Sequence, residues 1–440
     1  MAIVKRLSHK FVALGLRVQF PLATPVGILH DGKFLMCPMG EKKIDLCIIG
    51  GAGHVGLPFG VVCANSGIKT VLLDINKDAL EKIKHGVFPF KERGGSEALK
   101  AALAKGTLSM TDSPDVIHDS SFVLIVIGTP VDEYLSPRSG DIIRIIDKYL
   151  DYFCDGQIVI LRSTVYPGIT EKVQHYFDKK NKKVRLSFCP ERVTQGYAIE
   201  EIKKLPQIVS AFDPETLHKV TDLIQKTTSA RVITTTPIEA ELAKLYTNAW
   251  RYIRFAVANQ FFVIAHEHGL DYNHIAQAMK ENYPRNQDLP SPGFAAGPCL
   301  LKDTMQLAAF TNNHFQLGHA AMLVNEGLVN YLMSSLKRTF SHDLKEKTLG
   351  ILGMAFKAGS DDHRDSLSYK LRKIADVECK QVFCTDVHIQ NPAFVSVEHV
   401  LQNSDIIILA TPHLEYQTVD PSQHPHITFI DLWSFWPNNA

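Results

Sequence analysis

One cysteine, Cys299, lies in the run Pro292-Gly293-Phe294-Ala295-Ala296-Gly297-Pro298-Cys299-Leu300-Leu301-Lys302-Asp303, beside a cation and an acid. A nearby ammonium favours thiolate, the nucleophilic form of sulfur. The small residues ahead of it leave room for a ligand to approach. Taken alone, the loop leaves two readings open, a covalent catalyst and a buried spectator thiol. The other cysteines are Cys37, Cys47, Cys63, Cys154, Cys189, Cys379 and Cys384. No pair has C-x-x-C spacing and no Cys/His cluster is of zinc type, so no metal site is expected. Cys47 sits in the apolar run IDLCIIG, where a free thiol acts as a small hydrophobe. A reducing location such as the cytoplasm fits this usage.

A second group of polar side chains has helical spacing. Glu241, Lys244, Asn248 and Arg251 recur at i, i+3, i+7 and i+10, forming one polar stripe among Leu242, Leu245, Trp250 and Phe255. A solvated face and the lining of a cleft are equally compatible with that periodicity.

The third signal is Gly51-Ala52-Gly53-His54-Val55-Gly56, which fits G-x-G-x-x-G. It follows the strand-like IDLCIIG and opens a helical segment. Asp74, closing the next strand-like run TVLLD, follows at the expected distance of about 20 residues. Gly51, Gly53 and Gly56 let the backbone approach a pyrophosphate, and Asp74 can accept from a ribose, which favours NAD over NADP. Gly128-Thr129-Pro130 closes another apolar run, where open sheets of this kind bind ligands or simply turn.

These segments need elements to hold them. Strand candidates separated mostly by helices occur at Thr70–Asp74, Phe122–Gly128, Gln157–Thr164, Val184–Phe188 and Arg231–Thr235, predicting a parallel, doubly wound α/β domain over 44–236. Strand signals vanish over 237–340, where one helix of about 30 residues is expected. They return at TLGILGMAF, QVFCTDV, SDIIILAT and ITFIDLW, predicting a second, smaller α/β unit over 341–440. Residues 1–43 read as an N-terminal extension ahead of Met39 that adds nothing to the fold; they lack an apolar targeting core and a cleavage site. With 47 basic and 46 acidic residues the net charge is +1, which offers no field for nucleic acid. No apolar stretch approaches the roughly 20 residues of a membrane span.

In order, GAGHVGLPFG, VIGTPVDE, RSTVYPG, CPERVTQG, AELAKLYTNAWR, GPCLLKD and GMAFKAGSDDHRDS resemble the UDP-glucose/GDP-mannose dehydrogenase family, from Ile44 to the C-terminus. The resemblance implies two Rossmann-like domains joined by a helical domain with a long central helix, on which a homodimer or higher oligomer is built. It implies two successive NAD-dependent oxidations at C6 of a nucleotide-linked sugar, giving a uronic acid for polysaccharide biosynthesis. Matched motif by motif, Cys299 resembles the nucleophile that holds the C6 aldehyde as a thiohemiacetal and then a thioester. Lys244 resembles the ammonium that stabilises oxyanions, with Asn248 sharing that task, and Asp303 the carboxylate that handles protons or orients water. Glu191 and Thr164 match a second water-organising pair. Lys302, Arg364 and Thr129 resemble cofactor contacts, Lys357 a residue that holds the substrate diphosphate, and Arg192 a further substrate contact.

Two departures bear on the sugar. Gln195 stands where UDP-glucose enzymes usually have a second glutamate, so no proton transfer falls to it. The PERV and VDEY forms resemble the UDP-N-acetylhexosamine branch, whereas Ala-Gly-Pro before Cys299 and Leu-Leu-Lys-Asp after it depart from that branch. UDP-N-acetylhexosamine is the expected substrate, with UDP-glucose the alternative. Two remoter readings remain: a two-electron hydroxyacid dehydrogenase, which needs a cleft lysine but no nucleophilic cysteine, and a silent nucleotide-sugar-binding protein.

Overall fold

The computed structural model describes residues 28–30, 33–35, 42–129, 132, 138, 140–341 and 343–436. The chain forms two units, 1–42 and 43–440. In the first, β1 (Ile28–His30) and β2 (Lys33–Leu35) pair antiparallel, with His30 opposite Lys33. The rest of the expected extension lies outside the described residues.

In the second unit, eight strands form one sheet: β3 (Ile44–Ile49), β4 (Thr70–Leu73), β5 (Leu108–Thr111), β6 (Ser120–Ile125), β7 (Ile158–Leu161), β8 (Arg185–Phe188), β9 (Gln207–Ala211) and β10 (Val232–Thr235). Their order is β10-β9-β8-β7-β6-β3-β4-β5. Strands β4 and β7 are buried along their whole length, as strands covered on both faces must be. Side-chain alternation divides the core in two. Leu46, Ile48, Leu72 and Ile160 meet the helix Gly56–Asn65 on one face, while Cys47, Ile49, Val159 and Leu161 meet the helix Ile169–Lys179 on the other. The sheet is doubly wound, with one correction to the expected parallel arrangement: β9 runs antiparallel to β8, and β10 follows β9. The chain leaves β3 through β4 and β5 on one side and returns through β6 on the other. The carboxyl ends of β3 and β6 therefore flank the crevice where such sheets bind ligands.

The expected long helix spans Pro237–Glu267, 31 residues. Thr236 and Glu239 form a capping box at its start and Pro237 fills its first turn, so its origin is set locally. Ala240 packs into the core of the first sheet, and Phe262 and Val263 near the other end pack with Leu349 and Ile351 of the last domain. One rigid rod thus spans both α/β halves. Helices Leu300–Phe310 and Gln316–Thr339 lie against it. The last sheet contains β11 (Thr348–Leu352), β12 (Gln381–Thr385), β13 (Ile406–Leu409) and β14 (Thr428–Asp431), all parallel in the order β12-β11-β13-β14. Among the described residues, no helix is long and apolar enough to cross a membrane.

Candidate active site

The glycine turn shows which glycines serve the fold and which serves a ligand. A Cβ on Gly51 would lie 2.7 Å from Leu72, and one on Gly56 would lie 2.3 Å from the Gly50 carbonyl. Both positions are closed to a side chain by packing. A Cβ on Gly53 would meet only the Gly50 carbonyl at 3.4 Å, an ordinary contact. The space over Gly53 is left open, as close approach of a pyrophosphate requires. The following helix, Gly56–Asn65, has no side-chain cap and no acid in its first turn, so its N–H groups can meet an anion. Asp74 Oδ2 accepts the Ala52 N–H at 2.9 Å and Oδ1 the Asn76 N–H at 2.9 Å, which fixes the half-buried carboxylate at the strand end. The open space over Gly53, the uncapped helix start and the carboxylate at the strand end are the features that a dinucleotide needs.

Cys299 is the residue that starts the helix Leu300–Phe310, at its positive end. One turn on, Asp303 is fully buried, and Asn248 Nδ2 donates to its Oδ2 at 2.6 Å. Lys302 Nζ lies 3.3 Å from Asp303 Oδ1 and donates to Thr129 Oγ1 at 3.4 Å. Thr129 in turn donates to the Thr164 carbonyl at 2.6 Å. The cysteine loop, the long helix and the end of β6 are thereby tied into one polar cluster. Thr129, Thr164 and Gln306 line a cavity of about 10 Å³, room for one water. The buried Gln306 Oε1 makes no hydrogen bond among the described residues. Lys244 is buried and forms no hydrogen bond or ion pair among the described residues. The Cys299 thiol opens to solvent on one side, yet protein crowds it on the others. That crowding, and then Asp303, push its pKa up; Lys244, Lys302 and Arg364 pull it down. The balance leaves it above its ordinary value, so the resting thiol is protonated at neutral pH.

The stripe on the long helix is solvated only at its far end: Glu241, Lys244 and Asn248 are all buried, whereas Arg251 is exposed. It divides by task. Glu241 accepts the Gly168 N–H at 2.6 Å and the Thr170 N–H at 2.9 Å, and Thr170 Oγ1 donates to it as well. It therefore anchors a loop, while Lys244 and Asn248 face the cysteine helix. Glu191 is engaged away from that cluster. Arg162 Nε donates to its Oε2 at 2.8 Å, and its Oε1 accepts the N–H groups of Arg192 at 2.7 Å and Val193 at 3.0 Å. No hydrogen bond joins Glu191 to Thr164, Asp303 or Asn248 among the described residues. The Arg192 guanidinium donates to the Pro206 carbonyl instead of joining the cluster.

Lys357 reaches across from the last domain and donates to the Gln195 carbonyl, with its ammonium 5.6 Å from the centre of the Tyr197 ring. Burial pushes its pKa down, and Arg251 on the long helix adds to this, against Glu201 and Glu92. Arg364 is gripped by Asp362: Nε lies 3.0 Å from Oδ1 and a terminal nitrogen 2.6 Å from Oδ2. That grip raises the Arg364 pKa. Asp362 and Arg162, which hold the Arg364 and Glu191 side chains, were not singled out in the sequence. Each lies in a matched segment, but no spacing rule reveals the pairing.

The last domain repeats one device of the first. Asp386, closing β12, accepts the N–H groups of Met354 at 2.7 Å and Ala355 at 2.9 Å from the turn after β11. Here the carboxylate is sealed, because His413 Nε2 also lies 3.2 Å away and neither side chain is exposed. His388, His413 and Glu415 have potential ligand atoms within 4.8 Å of one another. His413 Nδ1 already accepts the Gly359 N–H, however, and the Lys91 ammonium lies 2.8 Å from His388 Nε2. The group therefore acts as a polar contact between domains.

Comparison with known proteins places these features in context. Residues 44–228, 238–327 and 350–436 match, respectively, the NAD-binding, central and UDP-binding domain models of the UDP-glucose/GDP-mannose dehydrogenase family. The chain is 28% identical over 385 residues to a UDP-N-acetyl-D-mannosamine dehydrogenase of Pyrococcus horikoshii, covering 84% of this chain and 90% of that one. It is 25% identical over 407 residues to an NDP-N-acetyl-D-galactosaminuronic acid dehydrogenase of Ralstonia nicotianae, covering 88% and 95%. A solved Pyrococcus horikoshii UDP-D-ManNAc dehydrogenase superposes with a TM-score of 0.83 at 26% identity, covering 89% of this chain and 96% of that one.

Proposed function

Because the chain belongs to the UDP-glucose/GDP-mannose dehydrogenase family and uses NAD to oxidise a nucleotide-linked sugar, we propose that it carries a UDP-N-acetylhexosamine through a four-electron oxidation at C6 to the uronic acid, with Cys299 as covalent catalyst. The observation that carries this reading is the meeting of Cys299, Asp303, Asn248 and Lys302 at the start of one helix. UDP-N-acetylmannosamine leads the candidates, because several relatives carry that name.

When bound, NAD accepts hydride from C6 in each of the two oxidations. The protein supplies everything else. Gly53 and Asp74 hold the dinucleotide, and Thr129, Lys302 and Arg364 orient it. Lys357 and Arg192 meet the substrate, Lys357 at the diphosphate. Cys299 Sγ adds to the C6 aldehyde as its S–H bond breaks, the proton passing to the former carbonyl oxygen, and Lys244 and Asn248 stabilise the charge that develops on that oxygen. After the second oxidation the sulfur is held as a thioester. Asp303 takes the proton of the attacking water, the C–S bond breaks, and the acid leaves as the thiol is restored. Thr164 contributes through the water-sized cavity it lines. Glu191, fixed by Arg162, positions the Arg192–Val193 backbone as the loop's anchor.

The assembly is a homodimer or higher oligomer through the long helix, where Tyr246, Trp250, Val257, Phe261 and Ile264 expose apolar side chains along one face. Its product would serve an acidic polysaccharide. The test is NADH formation with UDP-N-acetylmannosamine, UDP-N-acetylglucosamine, UDP-N-acetylgalactosamine, UDP-glucose and GDP-mannose. Two NADH per sugar are expected with a UDP-N-acetylhexosamine, and Cys299→Ala should stop net acid formation. One NADH per sugar with free aldehyde accumulating refutes the thioester route, and preference for UDP-glucose refutes the sugar assignment.

A further inference from the structure

Gln195, assigned no proton transfer, is placed at a junction. Its side-chain nitrogen lies 3.0 Å from His54 Nδ1 in the glycine turn and 3.1 Å from Asp362 Oδ2 in the last domain. Asp362 grips Arg364, and the Gln195 main-chain carbonyl accepts the Lys357 ammonium. One residue thus touches the dinucleotide turn, the carboxylate that aims one cation and the ammonium of another.

The chemistry of that junction selects an amide. Asp362 Oδ2 can only accept, which fixes the –NH2 end of Gln195 towards it. The second N–H of the same nitrogen then points to His54 Nδ1, which must accept and so carries its ring proton on Nε2. Burial and then Arg364 keep His54 neutral, against Asp362 and Asp361, the other charged groups that face it. The ring also lies against Phe90, 4.0 Å between centres. A carboxylate at position 195 could donate to neither neighbour and would oppose Asp362 directly.

We propose that Gln195 is a positioning residue that couples occupancy of the glycine turn to the aim of Arg364 and Lys357, so that NAD and the nucleotide moiety of the substrate bind cooperatively. The inference rests on the reading that these two cations meet the bound ligands. A turn shifted by NAD moves His54, and the two-pronged amide carries that shift to Asp362 across the domain boundary.

The test is calorimetric titration of the full chain with UDP, with and without saturating NAD, for wild type, Gln195→Leu and Gln195→Glu. Wild type is expected to bind UDP roughly fivefold or more tightly with NAD present, in the usual range of coupling between sites. Gln195→Leu is expected to bind both ligands separately with the coupling reduced to about one. Gln195→Glu is expected to regain coupling as pH falls from 8 to 6, because a proton shared between the introduced carboxyl and Asp362 restores that bond while protonated His54 donates to the other carboxyl oxygen; a role in packing alone would give no such pH dependence. Undiminished coupling in Gln195→Leu, or no coupling in wild type, overturns the inference while leaving the functional reading intact. Failure of wild type to bind UDP at all refutes the functional reading, and this inference with it.

Discussion

Replacing Lys244 with methionine keeps most of the side-chain volume and removes one of the three cations that pull the Cys299 thiol towards ionisation. Two unit charges on the order of 10 Å apart interact by about 2 kcal/mol at an effective dielectric constant near 20. Because Cys299 opens to solvent, screening reduces this to about 1 kcal/mol, or about fivefold in thiolate fraction. The resting thiol is mostly protonated, so its alkylation rate at a fixed pH follows the small thiolate fraction and carries the whole shift. Lys244→Met is therefore expected to slow iodoacetamide modification of Cys299 about fivefold at pH 7.5. Asp303→Asn, which removes the opposing carboxylate, should accelerate it by a similar factor. The assay follows the mass of the peptide containing Cys299 from pH 6.5 to 10. Cys47, Cys63, Cys189, Cys379 and Cys384 are buried and provide an internal control for unfolding. Equal rates for Lys244→Met and wild type across that range, or slower modification of Asp303→Asn, would refute the assignment of these charges as the groups that set thiol reactivity.

Gly53→Ala should fold with an unchanged melting temperature but raise KM for NAD at least tenfold, whereas Gly51→Ala, driven into Leu72, should lose about 2 kcal/mol of stability; thermal melts and NAD titrations separate the two. Gly297→Ala places a methyl 2.4 Å from the Phe356 ring at a backbone φ of +98°, and should cost about 1–3 kcal/mol in thermal unfolding. Burial raises the Glu241 pKa above its ordinary value despite the bonds from Thr170 and Gly168. The folded state then binds more protons than the unfolded one, so this residue's contribution to stability falls as pH rises from its ordinary value through its folded one. The melting-temperature advantage of wild type over Glu241→Gln should accordingly be larger at pH 5 than at pH 7.5, and a constant difference would contradict this.

Much of the architecture could be read from hydrophobic pattern. IDLCIIG, TVLLD and SDIIILAT are nearly unbroken apolar runs, and such runs are the strands buried on both faces. The 31-residue helix was legible because Thr236, Pro237 and Glu239 mark its start and nothing inside it breaks the period. Strands β5 and β9 escaped notice for different reasons. LSMT lies at the sheet edge with only Leu108 fully buried, while QIVSA follows a short helix with little to mark it as a separate element. Nor does any sequence pattern give strand direction, which is why the reversal at β9 was missed. At the site, motifs indicated which residues were chemically capable but not which atoms they would hold. Asn248 and Asp303 are brought together only by the packing of two helices. Glu191, chosen for its type, proves to be held by Arg162, a partner 29 positions away with no spacing signature.

The paired carboxylates Asp74 and Asp386 show one framework committed in two ways. Each braces the turn after the first strand of its domain by accepting main-chain N–H groups. Asp74 keeps an outward edge and can still respond to what arrives. Asp386 has spent its capacity on its own fold, with His413 closing the last side. The Asp386 carboxylate is therefore taken up by the fold of its own domain and keeps no open edge comparable to that of Asp74. On the proposed function, substitutions at Asp74 are expected to retune cofactor choice in a protein that still folds, whereas equivalent changes at Asp386 are expected to destabilise the last domain itself.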